Sequence, residues 1–275
     1  MKLDGARVAV TGASAGIGAA LTEALVAAGA SVAVGARRTA RLKALARRFP
    51  RGRVLPFKLD VTGRASCERF VRSAVRALGG LDLLVNNAGL GQWMPVAQTS
   101  PEDFATLLAT NVSGPFWLTR AAVPHLPRGG AIVLVGSALA HRALPNMATY
   151  CGTKAFLLRF GEALRLELRP AGIHVLQLSP GIVATEFAEA ALRPGGAGEA
   201  GRPSGASAAS VAAALVKALR KRQPPRELLP QLQGRVFAAL NPLVPEVFDE
   251  AFAPMVARPE GRPRSGRVAS VRRAR

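Results

Sequence analysis

The sequence predicts a doubly wound α/β fold, in which a parallel β-sheet carries helices on both faces. Three observations point there. Short β-branched runs alternate with Ala/Leu-rich helical stretches from Arg7 to Leu178, the pattern of parallel strands joined by crossover helices. Gly12, Gly16 and Gly18 stand between the first strand and the first helix. The chain has 275 residues, 49% of them hydrophobic, which is ample for one large core.

Each element has its own signal. Arg7–Thr11 reads as a buried strand, and Gly18–Ala28 as a helix stopped by Gly29. Ser31–Gly35 is the second strand and Thr39–Phe49 the second helix. Val54–Leu59 is a strand, Ser66–Leu78 a helix and Leu81–Asn86 a strand. A long helix opens at Pro101, with Ser100 as its N-cap, and runs through Asn111. Ala131–Gly136 follows as a strand, Thr149–Arg169 as a helix and Ile173–Leu178 as a strand. Beyond Pro180 the pattern loosens. Leu192–Ser207, rich in Gly, Ala and Pro, reads as flexible, and Ser207–Lys221 as a helix. Leu228–Met255 is apolar with interspersed prolines and predicts short helices. The expected division is one folded unit over 1–255 and a separate tail over 256–275.

The formal net charge is +20. Val256–Arg275 holds seven arginines and one glutamate among Pro, Gly and Ser, the composition of a disordered tail. Arg37–Arg53 holds eight Lys/Arg and no acid. No nucleic-acid motif accompanies this charge, so solvated basic faces are the favoured reading and no nucleic-acid partner is expected. An apolar Leu228–Met255 followed by an Arg-rich tail is also compatible with lying on an anionic membrane surface, a reading less favoured than packing over the cleft or a neighbouring subunit. The two cysteines, Cys67 and Cys151, form no disulfide framework and no metal-ligand spacing, so no metal is expected. The chain enters its first strand within a few residues of Met1 and has no membrane-length apolar run, which predicts a cytoplasmic location.

Chemistry concentrates in Tyr150-Cys151-Gly152-Thr153-Lys154. A tyrosine and a lysine four apart share one helix face. The cation is expected to favour the phenolate and lower the tyrosine pKa toward acid/base use near neutrality. Tyr150 is the only tyrosine, and Ser137 lies 13 residues before it at the end of a strand. Near the N-terminus, Thr11-Gly12-Ala13-Ser14-Ala15-Gly16-Ile17-Gly18 joins strand to helix, where glycines let backbone approach a pyrophosphate at a helix N-terminus. With these motifs in this order, the chain resembles a classical short-chain dehydrogenase/reductase, over roughly Lys2–Thr185. The resemblance implies a single Rossmann-type sheet, a nicotinamide cofactor and a carbonyl or alcohol substrate.

Within that resemblance, Gly12, Ser14, Gly16, Ile17 and Gly18 are the cofactor loop. Asp60 and Val61 match the adenine side, Asn87, Ala88 and Gly89 belong to an NNAG motif, and Pro180, Gly181, Ile182 and Thr185 match the nicotinamide side. The implied active site is Asn111, Ser137, Tyr150 and Lys154. Tyr150 donates the proton and Ser137 polarises the carbonyl. Lys154 tunes the tyrosine and bonds the nicotinamide ribose, and Asn111 holds a water linking Lys154 to solvent. After the second strand, Ala36 stands where NAD enzymes carry an acid, and Arg37 and Arg38 follow, which predicts NADP(H), because a guanidinium binds a 2′-phosphate that a carboxylate would repel.

Loops expected to border the substrate supply Leu90, Trp93, Met94, Leu139, Leu144, Met147 and Phe187, with 186–255 forming the substrate side and the helical extension. An apolar lining points to a hydrophobic or acyl-type ketone. His141 and Arg142 are equally compatible with touching substrate and with a solvated loop, and Cys151 reads as a buried small residue. The expected activity is an NADPH-dependent, reversible ketone reductase acting as a homodimer or homotetramer. A dinucleotide-binding scaffold or redox sensor is the rival reading.

Overall fold

The computed structural model describes residues 1–193 and 204–255; the basic tail and most of the stretch predicted to be flexible lie outside the described residues. A seven-stranded parallel sheet forms the centre, in the order β3-β2-β1-β4-β5-β6-β7. Its strands are β1 (Arg7–Thr11), β2 (Ser31–Ala36), β3 (Val54–Lys58), β4 (Leu83–Asn86), β5 (Ala131–Val135), β6 (His174–Leu178) and β7 (Glu227–Leu228). The helices are α1 (Gly16–Ala27), α2 (Thr39–Ala46), α3 (Arg64–Leu78), α4 (Pro101–Leu108), α5 (Gly114–Ala122), α6 (Ala148–Leu168), α7 (Ala208–Leu219), α8 (Leu232–Leu240) and α9 (Pro245–Phe252). This is the Rossmann-type architecture, extended by two C-terminal helices.

Strand alternation builds two cores. Val8 and Val10 of β1, Val32 and Val34 of β2, and Val133 of β5 face one way, onto Leu21 and Leu25 of α1 and Val211, Leu215 and Leu219 of α7. Ala9, Ala33, Leu84, Ile132 and Leu134 face the other way, onto Phe70 and Val71 of α3, Leu118 of α5 and Leu164 of α6. Both faces are apolar because helices cover both, so the strands read as continuous hydrophobic runs. All strands point the same way, so their carboxyl ends gather along one edge. The order reverses beside β1, which opens a crevice there.

Two departures from the sequence reading matter. The helix expected from Pro101 begins as predicted, with Ser100 Oγ accepting from Asp103 N at 3.0 Å. It does not continue as one helix, because Ala109–Ser113 forms a π-turn that carries Asn111 before α5 resumes. Gly114 follows directly, and a Cβ there would sit 2.9 Å from the Val61 carbonyl oxygen, so the chain passes close to the β3 loop at this point. Nothing in the sequence pattern signals β7, a two-residue edge strand that pairs with Gln177 and Leu178 of β6. Among the described residues no helix is long and apolar enough to cross a membrane.

The start of β1 is tied to the segment entering β4. Arg7 donates from its backbone N, Nε and Nη2 to the Asp82 carboxylate, at 2.8, 2.8 and 2.7 Å. These bonds hold the Asp82 carboxyl below its ordinary range. A depressed folded-state pKa contributes stability above the unfolded value near 4 and loses it as pH falls through the folded value. Asp82→Asn is therefore expected to cost about 1 kcal/mol at pH 7, and less at a pH below the unfolded carboxyl value near 4. Urea titrations at both pH values check this; an equal cost at both would show that charge is not the cause.

Candidate active site

The crevice is an elongated cleft of about 410 Å³ along the carboxyl edge of the sheet. Its floor is the turn after β1. Gly12 has φ +68°, and a Cβ on it would meet Ala88 Cα at 2.8 Å, so only glycine fits between the two strand ends. Gly18 sits one turn into α1, where a Cβ would lie 2.5 Å from both the Gly12 carbonyl oxygen and Asn87 Nδ2. Gly18 thus lets α1 seat against the turn and does not itself line the cleft, whereas Gly12, Ser14, Gly16 and Ile17 do.

Thr11, which the sequence marks only as the residue before the glycine turn, organises this corner. Its buried hydroxyl donates to the Val85 carbonyl at 3.3 Å and accepts from Asn87 N and Ala88 N, both at 3.0 Å. Asn87 Nδ2 returns a bond to the Thr11 carbonyl at 2.9 Å. Asn87, Ala88 and Gly89 are thereby brought beside the glycine turn and line the cleft with Asp60 and Val61. Asp60 Oδ1 accepts from Thr62 N and Thr62 Oγ1, at 3.0 and 2.8 Å, which lowers its pKa.

At the end of β2, Arg37 and Arg38 border the cleft and Ala36 stands between strand and arginines. Arg38 donates from Nε and Nη2 to Ser14 Oγ at 3.2 and 3.1 Å. A glycine turn that admits backbone-close approach, ending at two guanidiniums with no carboxylate on that strand end, fits a dinucleotide carrying an extra phosphate.

Ser137, Tyr150 and Lys154 converge at the other end of the cleft. The phenol hydrogen-bonds the Ser137 side chain, and Ser137 Oγ also accepts from Leu139 N at 3.1 Å. Lys154 Nζ donates to the Val135 carbonyl at 3.1 Å and lies 5.7 Å from the Tyr150 ring centroid. The expected lowering of the tyrosine pKa is overturned here. Burial dominates and raises it, the Ser137 bond opposes this, and Cys151 adds a further rise. Burial likewise lowers Lys154 to about 8. Desolvation penalises the charged form of each partner, so both drift toward neutrality.

Asn111 lies behind this group, outside the cleft surface. Its Oδ1 accepts from Leu90 N at 2.8 Å, and its Nδ2 donates to the Leu90 carbonyl at 2.8 Å and to Thr153 Oγ1 at 3.1 Å. Thr153 in turn donates to the Tyr150 carbonyl at 2.7 Å. The side chain expected to face a water is thus committed to bracing the turn after β4 against α6.

The nicotinamide-side segment is divided. Pro180, Gly181 and Thr185 line the cleft, and Thr185 packs 3.2 Å from where a Gly16 Cβ would be. Ile182 does not line it: its side chain is exposed, and its carbonyl accepts from Ala206 N at 3.1 Å. Of the residues expected near substrate, Leu90 and Phe187 border the cleft, with the Phe187 ring 6.1 Å from that of Tyr150. Trp93, Met94, Leu139, Leu144 and Met147 do not. Leu139 and Met147 pack on the cluster of Leu107, Tyr150 and Cys151. Met94 is buried, and the backbones of Trp93 and Met94 bond Leu192 and Asn146. Thr106, Thr110 and Glu186 line the cleft without having been singled out in sequence.

His141 and Arg142 turn toward the C-terminal helices. His141 Nε2 pairs with Glu227 Oε1 at 2.9 Å. Arg142 bonds Asn241 and Asp249 and lies under the rings of Phe248 and Phe252. Burial raises both thiols, Cys67 to about 12, so neither is a ready thiolate. Among the described residues no group of three His, Cys, Asp or Glu side chains could hold a metal.

A lysine whose pKa is lowered by burial destabilises the fold while the unfolded chain holds the extra proton, so its cost is greatest below pH 8 and fades above about pH 10. Lys154→Met is accordingly expected to raise stability at pH 7 by roughly 2 kcal/mol, after allowing for the lost bond to Val135. Thermal unfolding across pH 7–10.5 tests this. A variant less stable at every pH would refute it.

A family model described as short chain dehydrogenase matches residues 6–194. An uncharacterized oxidoreductase of Methylorubrum extorquens is 36% identical over 203 residues, covering 73% of this chain and 82% of the relative. The chain spans less of two longer relatives, 62% and 60% of their lengths. The crystal structure of a short-chain dehydrogenase from Streptomyces avermitilis superposes with a TM-score of 0.79 at 31% identity, over 91% of this chain and 97% of that one. A short chain dehydrogenase from Burkholderia cenocepacia, solved in complex with NADP, has a TM-score of 0.71 at 29% identity, over 83% and 97%. By its matched core, sheet order and sequence likeness, the chain belongs to the short-chain dehydrogenase/reductase family of oxidoreductases.

Proposed function

We propose that the protein is an NADP(H)-dependent oxidoreductase that reduces a ketone to a secondary alcohol, reversibly, on an apolar or acyl-type substrate. One observation carries this reading. A single cleft joins a buried phenol, hydrogen-bonded to Ser137 and backed by Lys154, to an arginine pair with no acid at the end of β2. When bound, the nicotinamide would supply the hydride. Gly12, Ser14, Gly16 and Ile17 would hold its pyrophosphate side, Arg37 and Arg38 its 2′-phosphate, and Pro180, Gly181 and Thr185 its carboxamide.

This chain's own residues do the rest. Ser137 orients the carbonyl oxygen and donates to it as negative charge develops there. Tyr150, kept protonated by burial, gives its proton to the same oxygen, which suits the reductive direction. Lys154, held by the Val135 carbonyl, would donate toward the tyrosine and a ribose. Phe187 and Leu90 exclude water on the apolar side. A scaffold without turnover would have no use for a proton donor in this setting.

Exposed Phe104 on α4, Phe116 on α5 and Phe156 on α6 support a homodimer or homotetramer built on that face. Phe156→Asp is expected to shift the assembly toward monomer by light scattering, and a wild-type monomer at micromolar concentration would rule the assembly out. For the reaction, the test is NADPH oxidation against a ketone panel, with NADH and Tyr150→Phe as controls. Tyr150→Phe should lower turnover by about 100- to 10,000-fold while leaving NADPH affinity within about threefold. Turnover that survives in the variant removes Tyr150 as the acid, and a preference for NADH removes the assigned role of Arg37 and Arg38.

A further inference from the structure

Glu186 directly follows Thr185, on the wall of the cleft opposite the β2 arginines. Its Oε2 accepts from Arg41 Nη1 at 2.6 Å and from Arg38 Nη1 at 3.2 Å. Arg38 also donates from Nε and Nη2 to Ser14 Oγ. The three side chains therefore form a strap across the cleft, from the segment carrying Phe187 to the end of β2. All three are partly exposed, at 34% for Glu186, 50% for Arg38 and 48% for Arg41, so the strap exchanges readily with a competing anion.

The guanidinium of Arg38 presents two bidentate edges, the Nε/Nη2 edge turned to Ser14 and the Nη1/Nη2 edge reached by Glu186, and a phosphate engages the second in the same way a carboxylate does. A 2′-phosphate reaching Arg38 must take Nη1 from Glu186 or share it, and sharing sets two anions side by side. A cofactor without that phosphate makes no such demand. We propose that Glu186 is a cofactor-selectivity residue, an internal anion that occupies Arg38 and Arg41 and is displaced by the 2′-phosphate of NADP(H). The inference rests on the dinucleotide reading given above and assigns a residue that opposes the favoured cofactor. Glu186 also neighbours Phe187, whose ring lies 6.1 Å from that of Tyr150, so its displacement removes one tie on the segment beside the phenol.

The test is equilibrium binding to the full chain, wild type and Glu186→Gln, of NADPH, NADH, 2′,5′-ADP and 5′-AMP, by calorimetry at low and high salt. The two short nucleotides separate the 2′-phosphate from the pyrophosphate. Glu186→Gln should tighten NADPH and 2′,5′-ADP by about 3- to 10-fold and leave NADH and 5′-AMP within about twofold. The gain should shrink at about 0.5 M salt. Equal weakening of NADPH and NADH would overturn the inference and make Glu186 a clasp over either cofactor. No change in the NADPH-to-NADH ratio would overturn it too. A wild-type chain that binds neither dinucleotide overturns the reading beneath it, and is told apart because the failure appears before any substitution. Glu186 is not in the core, so the variant is expected to fold, and an unchanged melting temperature confirms that any shift in affinity is local.

Discussion

One hydroxyl holds the site together. Thr11 Oγ1 receives Asn87 N and Ala88 N and gives its proton to the Val85 carbonyl, so the ends of β1 and β4 cannot part. A parallel sheet collects every strand's carboxyl end on one edge, yet leaves those ends short of backbone partners. Thr11 supplies partners at the point where the strand order reverses. The glycine turn, the Asn87–Gly89 loop and the close seat of α1 all depend on that spacing, and a Cβ at Gly12 would open it.

The opposite end of the cleft obeys a different constraint, the cost of burying ionisable groups. Tyr150 and Lys154 share one helix face, and proximity alone would give a phenolate beside an ammonium. Their surroundings decide otherwise. Among the described residues Lys154 finds the Val135 carbonyl and no carboxylate, so desolvation is only partly offset. The tyrosine keeps its proton and the lysine holds its own loosely. Asn111 adds rigidity, gripping the Leu90 backbone with both ends of its amide and Thr153 with one.

What the sequence disclosed, and what it hid, follows from the range of the interactions. The six principal strands, the glycine turn and the Ser137, Tyr150 and Lys154 set were legible because strand period, helix spacing and local turns determine them. The π-turn at Asn111 was not, and it leads into Gly114, which a Cβ would bring to 2.9 Å from the Val61 carbonyl oxygen, 53 positions away in the chain. Strand β7 has two residues and no periodicity to detect. The lining residues failed for a related reason: Leu139 and Met147 stand in the expected loops, but side-chain direction is set by the apolar cluster around Leu107. The strap from Glu186 to Arg38 joins residues 148 apart and leaves no local mark.

The last helices do more than add length. Gln231 binds the Gly181 backbone, Asn241 binds the His141 carbonyl, and Asp249 with Phe248 and Phe252 encloses Arg142. The loops at Ser137 and Gly181 are thus finished by residues that follow them much later in the chain, across separations of 50, 100 and 107 positions. A chain emerging from the ribosome can complete the Thr11 corner early, since β1, α1, β2 and β4 lie within its first third. The glycine corner would then be assembled before the loops after β5 and β6 receive the bonds that α8 and α9 bring to them.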